Sequence, residues 1–327
     1  MGNADRSRIA KEFRSFTAAA AAARSPLYAE LAAAVAEDDH ILDFLARPPR
    51  EEQQPMLLFG AIAFLHGPSG GPDELRARIR DDGERIRETM LSRFTQTNEP
   101  ARCAALITAL GDIDGPVGLV EVGSSAGLCL YPDRYSYEFD GRPVGPRSAV
   151  HLACSTTGPV PVPDRLPDVA ARVGIDRNPL DPADPDDRAW LRALIWPGPN
   201  AAPRLDRLDA AATIATDEPA TVLTGDIIDR LPDALDLLPA ECTPVVFHTA
   251  VLAYLERARR EEFVALVRSL GVRWIAQESA GIVPGIPADL AGPDSFILSL
   301  DGRPLARTAP HGGRIDWLPA AREIMAR

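Results

Sequence analysis

The chain has 327 residues, a formal net charge of -12, and 46% hydrophobic and 25% charged residues. That is enough apolar material for one large domain or two closely packed ones, and the acidic balance argues against nucleic acid or anionic lipid as partners, although a local basic pocket is still allowed. Four cysteines, Cys103, Cys129, Cys154 and Cys242, stand far apart without a C-x-x-C, so neither a disulfide framework nor a zinc knuckle is signalled and a reducing compartment is expected.

The stretch "MGNADRSRIAKEF" is polar and charged, and the alanine run at 18–23 is too short and too weakly apolar for a signal-peptide core. No later stretch approaches a membrane span in length. The expectation is a cytoplasmic protein that meets a small-molecule substrate, with no membrane and no nucleic acid involved. From residue 4 to about 110 apolar residues recur at helical spacing: Ile9, Phe13 and Phe16, then Leu31 and Val35, Leu57, Ile62 and Leu65, and Leu75, Ile79 and Ile86. Breaks fall at Ser25-Pro26, at "RPPREEQQP" and at "GPSGGPD". A last helix is expected from an N-cap at Asn98 or Glu99, with Pro100 in its first turn, to Leu110. Residues 1–112 thus read as a helical N-terminal region, one wall of a substrate pocket.

Beyond residue 116 short apolar runs alternate with helical stretches, the pattern of buried parallel strands. Strands are predicted at 118–122, 172–176, 221–226, 244–248 and 272–277, and helices at 184–195, 202–215 and 257–270. The fold class is α/β, a doubly wound, Rossmann-like, mainly parallel sheet over residues 113–327. The stretch 131–170, rich in Pro, Gly and Tyr, reads as an insertion that covers the site, and "SFILSL" and "GRIDWL" as an antiparallel hairpin flanking turn-rich sequence.

The chemistry concentrates in "LVEVGSSAGLCL" at 119–130. Gly123-Ser124-Ser125-Ala126-Gly127 fits a G-x-S-x-G nucleophile elbow, which would make Ser125 the nucleophile of a serine hydrolase with Asp226 or Asp294 and His311 in order. An elbow, however, follows several strands, and nothing upstream of Gly118 reads as one. Glu121 weighs the other way: a carboxylate at the tip of a buried strand is costly unless it meets a cation, which a ligand's ammonium group supplies. Gly123 then allows a tight turn, Gly127 close helix packing, and the amides of Ser124 and Ser125 at a helix start a hold on a carboxylate. A methionine moiety carries both groups.

Glu121-x-Gly123-x-x-x-Gly127 resembles motif I of class I S-adenosylmethionine-dependent methyltransferases, with Ser125 where the fuller pattern has its middle glycine. The resemblance implies a cofactor, S-adenosylmethionine, and gives roles to later strand tips: Asp176 in "VGIDRNP" on the ribose hydroxyls, with Asp140 as its rival, Asp226 in "VLTGDI" on the adenine amino group, and the Ile227 amide on a ring nitrogen. "PVVFHTAVLAYL" resembles the fourth strand and the segment that faces the substrate. "TQTNEPARCAAL", "GIDRNPLD" and "WLRALIWP", with these, resemble a bacterial family of uncharacterised proteins with a methyltransferase-like fold.

Of the polar cluster Gln96, Asn98, Glu99 and Arg102, a helix cap needs one side chain, so Glu99 and Arg102 are candidates for addressing the acceptor as well as for a cap with an ion pair. His248, at a strand end, is a candidate general base, or a histidine bonded to its neighbours. His151 and Cys154 lack an evident third ligand, so no metal is expected. Trp190 and Trp196 read as core. The function expected is methyl transfer to a small molecule, with a serine hydrolase and a non-catalytic binding protein on the same fold as alternatives.

Overall fold

Helix-forming sequence and apolar spacing build ten α-helices among the residues described, which in this computed structural model are 3–292, 294–319 and 321. They are α1 (Asn3–Ala22), α2 (Pro26–Ala36), α3 (Asp39–Leu45), α4 (Pro55–His66), α5 (Pro72–Ser92), α6 (Cys103–Leu110), α7 (Pro185–Ala193), α8 (Ala201–Asp217), α9 (Ile227–Asp236) and α10 (Arg257–Leu270). The strands are β1 (Val117–Val122), β2 (Ser136–Phe139), β3 (Arg142–Val144), β4 (His151–Thr157), β5 (Val169–Asp176), β6 (Thr221–Thr224), β7 (Thr243–Thr249), β8 (Arg273–Ser279), β9 (Phe296–Leu300), β10 (Arg303–Thr308) and β11 (Arg314–Trp317).

The chain divides into two units, one of residues 1–97 with 184–206, the other of 98–183 with 207–327. The boundary therefore lies earlier than residue 112, and α7 joins the helical unit. In that unit Phe13, Tyr28 and Phe59 are buried, and Trp196 lies 4.8 Å from Phe16, centroid to centroid. Trp190 is also buried and donates through Nε1 to Phe94 O at 2.9 Å, and a Cβ on Gly60 would sit 3.1 Å from its ring. Trp190 is thus core, as its spacing with Leu191 and Leu194 indicates, while Trp196 is half-buried against Phe16 and Tyr28.

In the other unit the strands form one mixed sheet, ordered β3-β2-β4-β11-β10-β9-β8-β7-β1-β5-β6. The five strands at one end of the sheet, β6, β5, β1, β7 and β8, are parallel, and the order reverses beside β1, whose neighbours are β5 and β7. All six residues of β1 are buried. Val120 and Val122 face a cluster with Ile227 and Leu231 of α9 and Phe263 and Val267 of α10; Leu119 and Glu121, one residue out of phase, face the other way.

Three expectations need correction. The insertion at 131–170 is no cover: it supplies β2, β3 and β4, and β4 joins β11 in parallel, extending the sheet. Its tyrosines are buried, with Tyr135 Oη donating to Leu128 O at 2.5 Å and Tyr137 Oη to Pro132 O at 2.6 Å. "SFILSL" and "GRIDWL" do not pair with each other, because "RPLART", read as part of a turn, forms β10 between them in a three-strand meander. Finally, no α-helix follows Gly127; a single 3₁₀ turn, Leu128–Leu130, does. Among the described residues no helix is long and apolar enough to cross a membrane.

Candidate functional site

The turn after β1 is held by backbone bonds that use most of its amides. Gly123 N and Ser124 N both donate to Ile175 O, at 2.7 and 3.1 Å, and Gly127 N donates to Ser124 O at 2.7 Å. Gly123, Ser125 and Gly127 have φ of 72°, 53° and 68°, so the left-handed conformation recurs at every second residue. Gly123 is required twice over, since a Cβ there would lie 2.6 Å from Val251 Cγ1. Its close approach is to the segment after β7.

Asn98 clamps the same turn: Nδ2 donates to Ser124 O at 3.0 Å and Oδ1 accepts from Leu128 N at 2.8 Å. The polar cluster before the sheet thus does reach the motif, through Asn98. Glu99 is the expected cap, accepting from Ala101 N at 3.2 Å, and it also takes Arg207 Nε at 2.7 Å while 3% exposed. A buried carboxylate with these partners shapes the turn and is not presented to an acceptor.

Asp176 is drawn into the motif: Oδ2 accepts from Ser125 N at 2.7 Å and Oδ1 from Asn178 N at 2.8 Å. This corrects the expectation that the amides of Ser124 and Ser125 hold a carboxylate of a ligand. Both donate within the protein. Asp140, the rival, accepts from Thr156 N at 3.1 Å in the strand extension. Asp226 caps α9 through Ile228 N at 2.9 Å and is paired with Arg177 and with Arg259, the latter at 2.8 Å. Burial raises its carboxyl, but Arg177, the Ile228 amide and Arg259 outweigh burial and leave it below the ordinary range. Ile227 is buried in the core cluster.

His248 is 0% exposed and faces α10. Trp274 Nε1, a donor only, points at Nε2 at 3.1 Å, so the ring proton lies on Nδ1 and is given to Glu278 Oε1 at 2.8 Å. With both nitrogens engaged in the core, His248 has no lone pair for a substrate, which corrects its reading as a general base. Glu278 Oε1 also accepts from Val251 N at 2.7 Å and Leu252 N at 3.0 Å, which pins the segment after β7. Glu278 went unnoticed in "VRWIAQES" although it carries the same signal as Glu121, an acid at the end of an apolar strand.

Glu121 is 1% exposed and its Oε2 has no hydrogen-bond partner among the described residues. Burial pushes its carboxyl well above the ordinary range; Cys129 adds to the rise, Arg102 opposes it and Asp176 adds again. Arg102 is 5% exposed; it donates through Nε to Pro310 O at 2.9 Å and through Nη1 to Thr249 O at 3.1 Å and Oγ1 at 3.2 Å. Beside the turn lies a cleft of about 290 Å³, bounded by Ala126, Leu180, Ala215 and Val222 with Tyr131 and Asp181. His151 and Cys154 are three residues apart on β4 and so point to opposite faces, and among the described residues no group of three His, Cys, Asp or Glu could hold a metal ion.

Residues 10–317 match the model of a family described as "uncharacterized protein conserved in bacteria (DUF2332)". No curated protein matches the chain. No solved structure matches it.

Proposed function

We propose that this chain, which belongs to the bacterial family DUF2332, binds S-adenosylmethionine at the carboxyl ends of β1 and β5 and transfers its methyl group to a small-molecule acceptor. The observation that carries the reading is Glu121, a fully buried carboxylate whose Oε2 lacks a partner at the tip of the central parallel strand, beside the reversal of strand order where open α/β sheets bind ligands. A buried acid of this kind is satisfied by an ammonium group that arrives with a ligand. The parallel order β6-β5-β1-β7-β8 supports a class I methyltransferase-type, doubly wound core, to which the meander and the β2–β4 extension are added.

S-adenosylmethionine supplies a methyl group already activated on a sulfonium. The protein's work is to hold the two reactants in line and exclude water. Glu121 receives the ammonium. Asp176 stands at the end of β5, beside β1, where it is offered to the ribose hydroxyls. The apolar cleft beside Ala126 and Leu180 suits a nucleobase better than Asp226, which two arginines claim. The segment after β7, where Tyr254 is 66% exposed, is offered to the acceptor.

Calorimetry with S-adenosylmethionine and S-adenosylhomocysteine tests this. Because burial raises the Glu121 carboxyl and an ammonium favours its ionised form, binding should be linked to proton release, so the measured heat should vary with the ionisation heat of the buffer, and affinity should rise with pH. Folded protein that gives no heat at about millimolar ligand rejects the proposal. One observation favours a second reading: the φ of 53° at Ser125 suits a strained nucleophile turn. A serine hydrolase would be labelled by a fluorophosphonate probe, and Ser125→Ala would abolish the label.

A further inference from the structure

Arg102, a cation, and Glu121, an acid whose Oε2 lacks a partner among the described residues, are both buried. A guanidinium has five N–H donors. Nε uses one on Pro310 O and Nη1 uses two on Thr249, while Nη2 has no acceptor among the described residues. Its guanidinium also lies over an aromatic face, Phe296, with the ring centre 5.6 Å from Cζ. A buried cation that meets only neutral acceptors keeps an uncompensated charge.

The sheet register brings the two side chains together. Glu121 pairs with Phe247 on the adjacent β7, and Thr249 lies two residues further along that strand, so its side chain shares the face of Glu121. Arg102, bonded to Thr249, therefore stands on the same face at the same end. It does not neutralise Glu121 directly: its bonds go to Thr249 and Pro310, and Glu121 Oε2 is left without a partner.

We infer that Arg102 and Glu121 form one subsite for a zwitterionic α-amino acid group, with Arg102 Nη2 taking the carboxylate and Glu121 the ammonium. Arg102 thereby fills the role that the amides of Ser124 and Ser125 cannot, since Ile175 O and Asp176 occupy them. This rests on the cofactor reading and specifies how the amino acid tail is held. A ligand with only one of the two charges would leave the other buried group uncompensated, so the subsite selects for both together.

The test compares two ligands by calorimetry on the full chain: S-adenosylhomocysteine, and S-adenosyl-3-thiopropylamine, which keeps the ammonium and lacks the carboxylate. The wild type should bind the first about tenfold or more tightly than the second, the scale of a charge-assisted hydrogen bond. Arg102→Met, checked for folding by its thermal melt, should bind both alike, and Arg102→Lys should recover part of the preference because it keeps the charge and loses the fork. Equal binding of the two ligands by the wild type overturns the Arg102 assignment and leaves the cofactor reading standing; this comparison needs no variant. A preference that survives in Arg102→Met also overturns it. Binding of neither ligand by the wild type overturns the cofactor reading and the subsite together.

Discussion

Glu121 makes stability depend on pH in a direction opposite to that of most paired carboxylates. Its folded-state pKa is raised by burial above the value in the unfolded chain, so the folded protein holds the proton more tightly. Stability linked to this group is complete below the ordinary carboxylate range and is lost as pH rises through the folded-state value. As pH rises above the ordinary carboxylate range, the melting temperature of ligand-free protein should fall more than that of Glu121→Gln, which has no proton to lose. Parallel pH profiles would show that Glu121 is compensated within the protein. Gly123→Ala should cost about 1–3 kcal/mol in denaturant unfolding, because it combines a φ of 72° with a collision at Val251; an unchanged midpoint would mean that the segment after β7 yields. At this scale the sequence was informative about polarity and uninformative about partners. An acid on an apolar strand marked Glu121 without structural help, whereas the engagement of Asp226 by Arg177 and Arg259 joins residues far apart in the chain, and no local pattern foretells it.

Two elements owe their position to hydrogen-bonded carboxylates. The segment after β7 hangs on Glu278, which His248 and Trp274 orient. His248→Ala removes a buried ring packed against Phe263 and leaves Trp274 Nε1 and Glu278 short of a partner; a loss of about 3–5 kcal/mol is expected from chemical unfolding, and a loss under about 1 kcal/mol would contradict the assigned network. Helix α9 begins at Asp226. Its folded-state carboxyl is depressed, so its contribution is present above the unfolded pKa and disappears as pH falls through the folded value. Asp226→Ala should destabilise by about 1–2 kcal/mol at neutral pH and by less in acid, as melting curves at both would record. The central strands and α10 were legible because burial on both faces leaves continuous apolar runs. Helix α9 was not, since Pro232 lies inside it and proline usually argues against a helix. The strands β2, β3 and β10 were missed because they are short and carry proline or polar residues, and their pairing is decided by distant neighbours.

The sheet joins well-separated parts of the sequence: β4, from the insertion, pairs with β11, which ends at Trp317. A chain ended before Phe296 would lose β9, β10 and β11, exposing the flank of β8 and leaving β4 without that partner. Such a truncation should aggregate where the full chain does not, as light scattering of the two would reveal, because an open strand edge is a template for association. The alternation of strands and helices disclosed a mixed α/β class, and the helical region announced itself by its spacing. The boundary between the units was beyond reach, since α6 has the same apolar helical signature as the helices before it and α7 carries nothing to say that it belongs with them. The division has a consequence for how such a protein is inherited and made. Each unit consists of two stretches of polypeptide, with 184–206 interrupting one and 98–183 interrupting the other. No single genetic crossover can transfer either unit without part of the other, and a ribosome must release residue 206 before the first is whole, by which point 98–183 of the second has emerged, so inheritance and synthesis tie the two together.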